Sequence, residues 1–261
     1  MDLSLKGKTA LICGASQGIG KAIAVELSLL GANCILLARS SGGLKSVIES
    51  LDTSSGQTHQ FHAIDFNESG ELKKLAETIV ASKIIDILIN NTGGPSAGLI
   101  FSEAPEKFEA AFKQHVVANQ ILTQAVVPGM KHQSWGRIIN VISTSVRTPL
   151  DNLGVSNTIR AAVASWSKTM SNELAVHGIT VNSLLPGFIS TTRLDAVASS
   201  FAEKAQVSKN EMEERMKNSV PAKRFGEPSE IAAVAAFIAS PAASYVNGIT
   251  IPVDGGRTPT I

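Results

Sequence analysis

Apolar positions along the chain follow two alternating rhythms. The runs Thr9–Cys13, Cys34–Ala38, Ile84–Ile89, Arg137–Ile142 and Thr180–Leu184 are apolar without strict polar alternation. Such runs belong to parallel strands buried on both faces. Two more strands are expected near Phe61–Ile64 and Ile249–Val253. Between the runs the period lengthens to that of a helix. Ile19, Ile23, Leu27 and Leu30 form an i, i+4, i+8, i+11 stripe, and Gly31 follows where a C′ glycine belongs. Helices are also expected near Leu44–Leu51, over Glu71–Ala81, from about Pro105 to Met130, and from about Leu153 to Val176. In the last of these, Ile159, Val163, Trp166, Met170 and Leu174 should face inward. Glu227-Pro228-Ser229-Glu230 opens a final helix with proline at N1 and Ile231, Val234 and Ile238 on its apolar face.

Strand–helix alternation from end to end predicts an α/β fold: a Rossmann-type, doubly wound parallel sheet in one domain spanning residues 1–261. Only Arg193–Val220 breaks the rhythm. It is polar, rich in Glu, Lys and Met, and reads as a helical excursion over the carboxyl edge of the sheet, a lid. Its Leu194, Val197, Phe201, Met212 and Met216 offer apolar surface either to a hydrophobic substrate or to ordinary packing.

Composition narrows the function classes. Lys plus Arg is 23 and Asp plus Glu is 22, so no long-range field recruits nucleic acid or an anionic membrane, and any basic site must be local. No apolar stretch reaches the roughly 18 residues of a membrane helix, and the protein is expected to be cytoplasmic. Cys13 and Cys34 lie inside strand-like runs and read as reduced core thiols. The five histidines are scattered, and no Cys/His spacing marks a metal site.

The first chemistry-bearing motif is CGASQGIGKA. Gly14, Gly18 and Gly20 fall between the first strand and the first helix. A turn of this kind brings backbone N–H groups up to a pyrophosphate at the positive end of a helix dipole. The bland reading is a tight βα turn. The strand-before, helix-after context favours a dinucleotide. At the end of the second strand, ILLARS, no acidic residue is present to claim both ribose hydroxyls of NAD. Ala38 stands there, followed by Arg39, whose planar fork suits a 2′-phosphate. NADP is therefore expected, with NAD still possible because Gln17 supplies no second cation.

The spacing G-x-x-x-G-x-G differs from ordinary Rossmann dehydrogenases and resembles the short-chain dehydrogenase/reductase family, whose motif reads TGxxxGIG. The resemblance extends over essentially the whole chain: Asp65 in AIDF, ILINNTGG at Ile87–Gly94, TVNSLLPG at Thr180–Gly187, PAKRFGEPSEIA and the closing VDGG. Among subfamilies the chain looks most like 3-oxoacyl-[acyl-carrier-protein] reductases. The resemblance implies a cofactor wall of Gly14, Ser16, Gln17, Gly18, Ile19, Gly20, Arg39, Asp65, Asn91, Gly93, Arg160, Pro186, Gly187, Ile189 and Thr191. It also implies a small-molecule carbonyl or alcohol substrate, and a homodimer or homotetramer.

The catalytic pattern departs from the family's. Ser143 occupies the serine position, but thirteen residues later the tyrosine of YxxxK is replaced by Ser156, and its lysine by Arg160. The only tyrosine, Tyr245, lies in the SPAASYVNG turn. In the family the phenol exchanges the proton as hydride moves, while the lysine lowers its pKa and holds the nicotinamide ribose. An aliphatic hydroxyl ionises several units higher than a phenol, and arginine stays protonated above about 12. Arg160 can still anchor a ribose. The fourth family member, an Asn, corresponds to His115, with Asn119 one turn later. An imidazole titrating near 6.5 would suit a replacement acid, directly or through water. The bland alternative is a helix histidine bonded to a carbonyl or facing a subunit interface.

Three readings stay open: an NADP(H)-dependent carbonyl reductase or alcohol dehydrogenase with a rebuilt proton path; an NADP-binding pseudoenzyme acting as scaffold or redox sensor; and a lyase or isomerase on the same fold. Retention of every cofactor motif counts against the third.

Overall fold

A computed structural model describes residues 1–260. Seven parallel strands form one sheet in the order β3-β2-β1-β4-β5-β6-β7. They are β1 Thr9–Cys13, β2 Asn33–Ala38, β3 His59–Ala63, β4 Ile87–Asn90, β5 Gly136–Val141, β6 Ile179–Pro186 and β7 Thr250–Val253. The order reverses between β1 and β4, and at such a switch point a crevice opens beyond the carboxyl ends of the strands. The central strands are buried throughout, as their apolar runs require. β3, HQFHA, is an edge strand with no such run and is only part-buried.

The helices α1 Gly18–Leu29, α2 Ser41–Ile48 and α9 Pro228–Ala239 pack on one face, around Ile23, Leu27, Leu44, Val47, Ile231 and Ala235. On the other face lie α3 Ser69–Ser82 and α5 Ala118–His132, with Leu72, Ile79, Leu122 and Val126 against Leu11, Leu88 and Ile138. Both cysteines are free and buried, and burial pushes each thiol up to about 12, so neither forms a reactive thiolate at neutral pH. No helix among the described residues is long and apolar enough to cross a membrane.

Three expectations change. The strand expected over Ile84–Ile89 begins only at Ile87, because Asp86 is committed to Lys8 Nζ at 3.0 Å and to the Thr9 amide at 2.8 Å, and Ile84 is exposed. The long helix expected from Pro105 to Met130 is α4 Pro105–Phe112 and α5, joined by a π turn at Lys113–Val117. A π turn inserts one residue into the helical repeat, so His115 faces elsewhere than a regular helix would direct it. In α6, Gly154–Leu174, Ile159, Val163 and Leu174 are buried as expected, but Trp166 and Met170 are only half-buried. The inward face instead carries Ser156, Arg160, Val163, Ser167, Ser171 and Leu174. A buried relay fixes that rotation: Asn90 Nδ2 donates to Asn140 Oδ1 at 2.9 Å, Asn140 Nδ2 to Ser167 Oγ at 3.0 Å, and Ser183 Oγ to Ser167 Oγ at 3.1 Å. Apolar periodicity underrated this face because its polar side chains pair with one another.

The excursion at 193–220 contains two helices, α7 Thr192–Ala205 and α8 Lys209–Asn218. α7 begins on the Thr191 hydroxyl, which accepts from the Leu194 amide.

Candidate active site

The carboxyl ends of β1, β2, β4, β5 and β6 border one cavity of about 780 Å³, within the range of ligand sites. Of the expected residues, Gly14, Ser16, Gln17, Gly18, Ile19, Arg39, Asn91, Gly93, Ser143, Ser156, Arg160, Pro186, Gly187, Ile189 and Thr191 all line it. Gly20, Asp65 and His115 do not.

The glycine turn is built by close approach. Gly14 has φ +60°, and a Cβ there would lie 2.5 Å from the Asn91 carbonyl oxygen. Asn91 Nδ2 in turn donates to the carbonyls of Cys13 and Gly14 at 3.2 and 3.3 Å, so the residue closing β4 holds the β1–α1 turn in shape. Gly20 lies beneath this turn, where a Cβ would meet the Gly14 carbonyl oxygen. No side chain caps α1, which leaves its first amides open toward the cavity. Arg39 lines the cavity next to Ser40 and Gly43. Asp65 turns its carboxylate onto its own loop, Oδ1 accepting from the Asn67 amide at 2.9 Å, and it is the neighbouring Phe66 that reaches the cavity wall. The cradle therefore fits a dinucleotide's phosphates: an uncapped helix end, a turn that excludes Cβ atoms, and a cation without an acid among the lining groups.

Ser143 follows β5, and its Oγ accepts from the Ser145 amide at 3.1 Å. Ser156 and Arg160 share one face of α6, one turn apart, with Ser156 only 9% exposed. Arg160 Nη1 donates to the Val141 carbonyl at 3.0 Å and Nη2 to the Thr92 carbonyl at 3.3 Å, spanning the ends of β5 and β4. Burial, and secondarily the Arg193 charge, push Arg160 down to about 10, which leaves it a cation at neutral pH. Tyr245 is fully exposed in its turn and cannot stand in for the missing phenol.

His115 requires a correction. Its Nδ1 lies 2.6 Å from Thr92 Oγ1, its Nε2 is buried without a partner, and the side chain is 2% exposed. Burial, then the charge of Arg160, hold the imidazole down at about 2. An acid titrating near 6.5 was the attraction of this residue, and this environment does not provide one.

The sequence pointed to no role in the site for the Arg193 and Arg257 side chains, yet both line the cavity, together with Thr92 and Gly94 of the ILINNTGG element. Arg193 Nη2 donates to the Pro95 carbonyl, and the Arg257 guanidinium stacks on Phe188 at 4.1 Å. Among the described residues the lining thus contains four arginines and no Asp, Glu, Lys, His, Cys or Tyr.

Known proteins agree with this architecture. The family profile described as enoyl-(acyl carrier protein) reductase matches residues 14–258. The NADPH-dependent reductase BacG of Bacillus subtilis is 34% identical over 256 residues, covering 97% of this chain and 99% of that one. The 3-oxoacyl-[acyl-carrier-protein] reductase FabG of Vibrio harveyi is 35% identical over 257 residues, covering 97% and 98%. The crystal structure of L-sorbose reductase from Gluconobacter frateurii, complexed with NADPH and L-sorbose, superposes with a TM-score of 0.93 at 32% identity, covering the whole of both chains. The chain belongs to the short-chain dehydrogenase/reductase family.

Proposed function

We propose that this protein is an NADP(H)-dependent oxidoreductase that reduces a small carbonyl substrate, or oxidises the alcohol, without a tyrosine in the proton path. What supports the reading is the gathering in one cavity of a phosphate cradle, Arg39, and the Ser143–Ser156–Arg160 group. The relatives named above are NADPH-dependent or 3-oxoacyl reductases. When bound, the cofactor supplies the hydride. The chain's own residues bind and orient. The α1 amides and the glycine turn hold the pyrophosphate, and Arg39 holds the 2′-phosphate.

Arg160 gives two of its five N–H donors to the Val141 and Thr92 carbonyls. The others are free for the nicotinamide ribose and for the oxygen that gains charge as hydride arrives. The Ser143 hydroxyl and the open Ser156 hydroxyl donate to that oxygen as well. No lining side chain titrates between about pH 5 and 9, so the proton itself comes from water, passed by Ser156. His115 touches no reacting atom in this scheme. It is a positioning residue that fixes Thr92, whose carbonyl holds Arg160.

The chain is proposed to work in the cytoplasm as a homodimer or homotetramer. A lid role for 193–220 is supported by Arg193, Leu194 and Val197 on the cavity wall.

The test is NADPH consumption with a broad panel of ketones and oxo acids, alongside calorimetric binding of NADPH. Turnover is expected. Tight NADPH binding with no turnover across the panel replaces this reading with that of a cofactor-binding scaffold, which the loss of the phenol favours.

A further inference from the structure

Placing the phosphates of a dinucleotide accounts for only part of the positive charge in the cavity. Arg39 follows β2 and the glycine turn follows β1, so both serve the phosphate half. Arg160 and Arg193 lie instead across the ends of β4 and β5, bonded to the carbonyls of Val141, Thr92 and Pro95. There they border a single point. A Cβ added to Gly94 would lie 3.4 Å from Arg193 Nη2 and 3.5 Å from Arg160 Nη2. The glycine leaves open the space where two guanidinium groups converge.

Among the described residues, nothing acidic answers them: no carboxylate lines the cavity, and neither arginine forms an ion pair. Arg193 also sits in the first turn of α7, at the positive end of the helix dipole, where a cation is disfavoured. Burial lowers the pKa of both arginines, and the charge of Arg193 lowers that of Arg160 further. Two like charges held together out of water are costly unless an anion joins them. The nicotinamide ring and its ribose, beyond the pyrophosphate, bring none, the ring being neutral when reduced and cationic when oxidised.

We propose that this point receives a carboxylate of the substrate, and that the protein reduces a small oxo acid. The carboxylate bridges Arg193 and Arg160, while Phe188, Leu194 and Val197 cover the carbon chain. The substrate class rests on the reductase reading above. Within it, the carbonyl carbon takes hydride from NADPH, the carbonyl oxygen takes one proton from water, NADP⁺ leaves, and the carboxylate is unchanged. Bidentate guanidinium–carboxylate pairing supplies the recognition.

The test uses malonate as a non-reacting probe, with and without NADPH, and NaCl at matched ionic strength as the reference. About 10 mM malonate should raise Tm by about 3 °C in the wild type. Arg193→Met should abolish the shift and Arg193→Lys keep part of it. Gly94→Ala, whose added methyl occupies the bridging point without straining the backbone, should abolish it independently. In turnover, oxo acids should exceed their methyl esters in kcat/KM by about 10–100-fold, through KM, and Arg193→Met should erase that preference. If the malonate shift survives both Arg193→Met and Gly94→Ala, or does not exceed that of NaCl, the anion site is wrong, whatever the turnover. If NADPH fails to bind while the malonate shift still depends on Arg193, the anion site stands and the reductase reading falls.

Discussion

The neutrality of His115 has a measurable thermodynamic consequence. In the unfolded chain its imidazole titrates near 6.5, whereas in the folded protein burial and the Arg160 charge hold it unprotonated down to about 2. Between those values the unfolded state binds a proton that the folded state refuses, so stability falls as pH falls. The slope is about 1.4 kcal/mol per pH unit, which amounts to ~2 kcal/mol by about pH 5. Above the unfolded value the term vanishes. His115→Asn removes the titration while leaving a hydrogen-bonding group beside Thr92. Its packing cost is the same at both pH values and cancels in the comparison, as do the contributions of the other four histidines. The assay is urea unfolding of both proteins at about pH 7.5 and 5.0, at fixed protomer concentration, followed by tryptophan fluorescence. The wild type should lose ~2 kcal/mol more than the variant between the two conditions. Equal losses would mean that the imidazole reaches water or an acidic partner in the folded protein, and the argument from burial would fail.

Three further outcomes follow from the same cavity. Arg39→Asp should weaken NADPH by at least about tenfold relative to NADH, since it replaces a phosphate partner with a like charge; unchanged relative affinities by calorimetry would remove Arg39 from the phosphate site. Arg160→Ala should weaken NADPH binding with the fold intact by circular dichroism, and Arg160→Lys should keep part of it because lysine holds the charge without the fork; normal binding by the alanine variant would make Arg160 a packing residue. The double change Ser156→Tyr with Arg160→Lys restores the family pair on one face of α6 and should raise ketone reduction by about 10²–10⁴-fold; an inert double variant that still binds NADPH would show that the pocket is not shaped for generic ketones.

Most of the sheet was legible because parallel strands buried on both faces leave continuous apolar runs, as at Thr9–Cys13 and Arg137–Val141. The glycine turn was legible for a related reason. Close approach of backbone to Asn91 and Gly14 admits only one residue type, and the spacing records it. What periodicity could not show was the polar side of α6, where Ser167 pairs with Asn140 and Ser183, or the π turn that redirects His115. Arg193 and Arg257 were the least legible, since an arginine outside a motif is read as solvated by default. One signal existed. Arg193 follows Thr191 and Thr192, and a threonine N-cap places a cation against the dipole of the helix it opens, a cost that invites a reason.

The same charges bear on why Ser156 and Arg160 belong together. In the family the lysine serves a phenol that must lose and regain a proton, so its compact charge is matched to a titrating neighbour. Once that neighbour is a serine, no group beside residue 160 needs its pKa adjusted, and in the function proposed above the position is left to bind and to hold shape. A guanidinium does both at once, reaching the carbonyls of Val141 and Thr92 from separate nitrogens while keeping donors for a ligand. A lysine, with three donors on one nitrogen, could not spread them over the same separation. The arginine also bears on His115. Burial keeps the imidazole neutral and the permanent cation at residue 160, with Thr92 as the shared contact, reinforces it, so the serine, the arginine and the histidine form one arrangement in which nothing titrates near neutral pH.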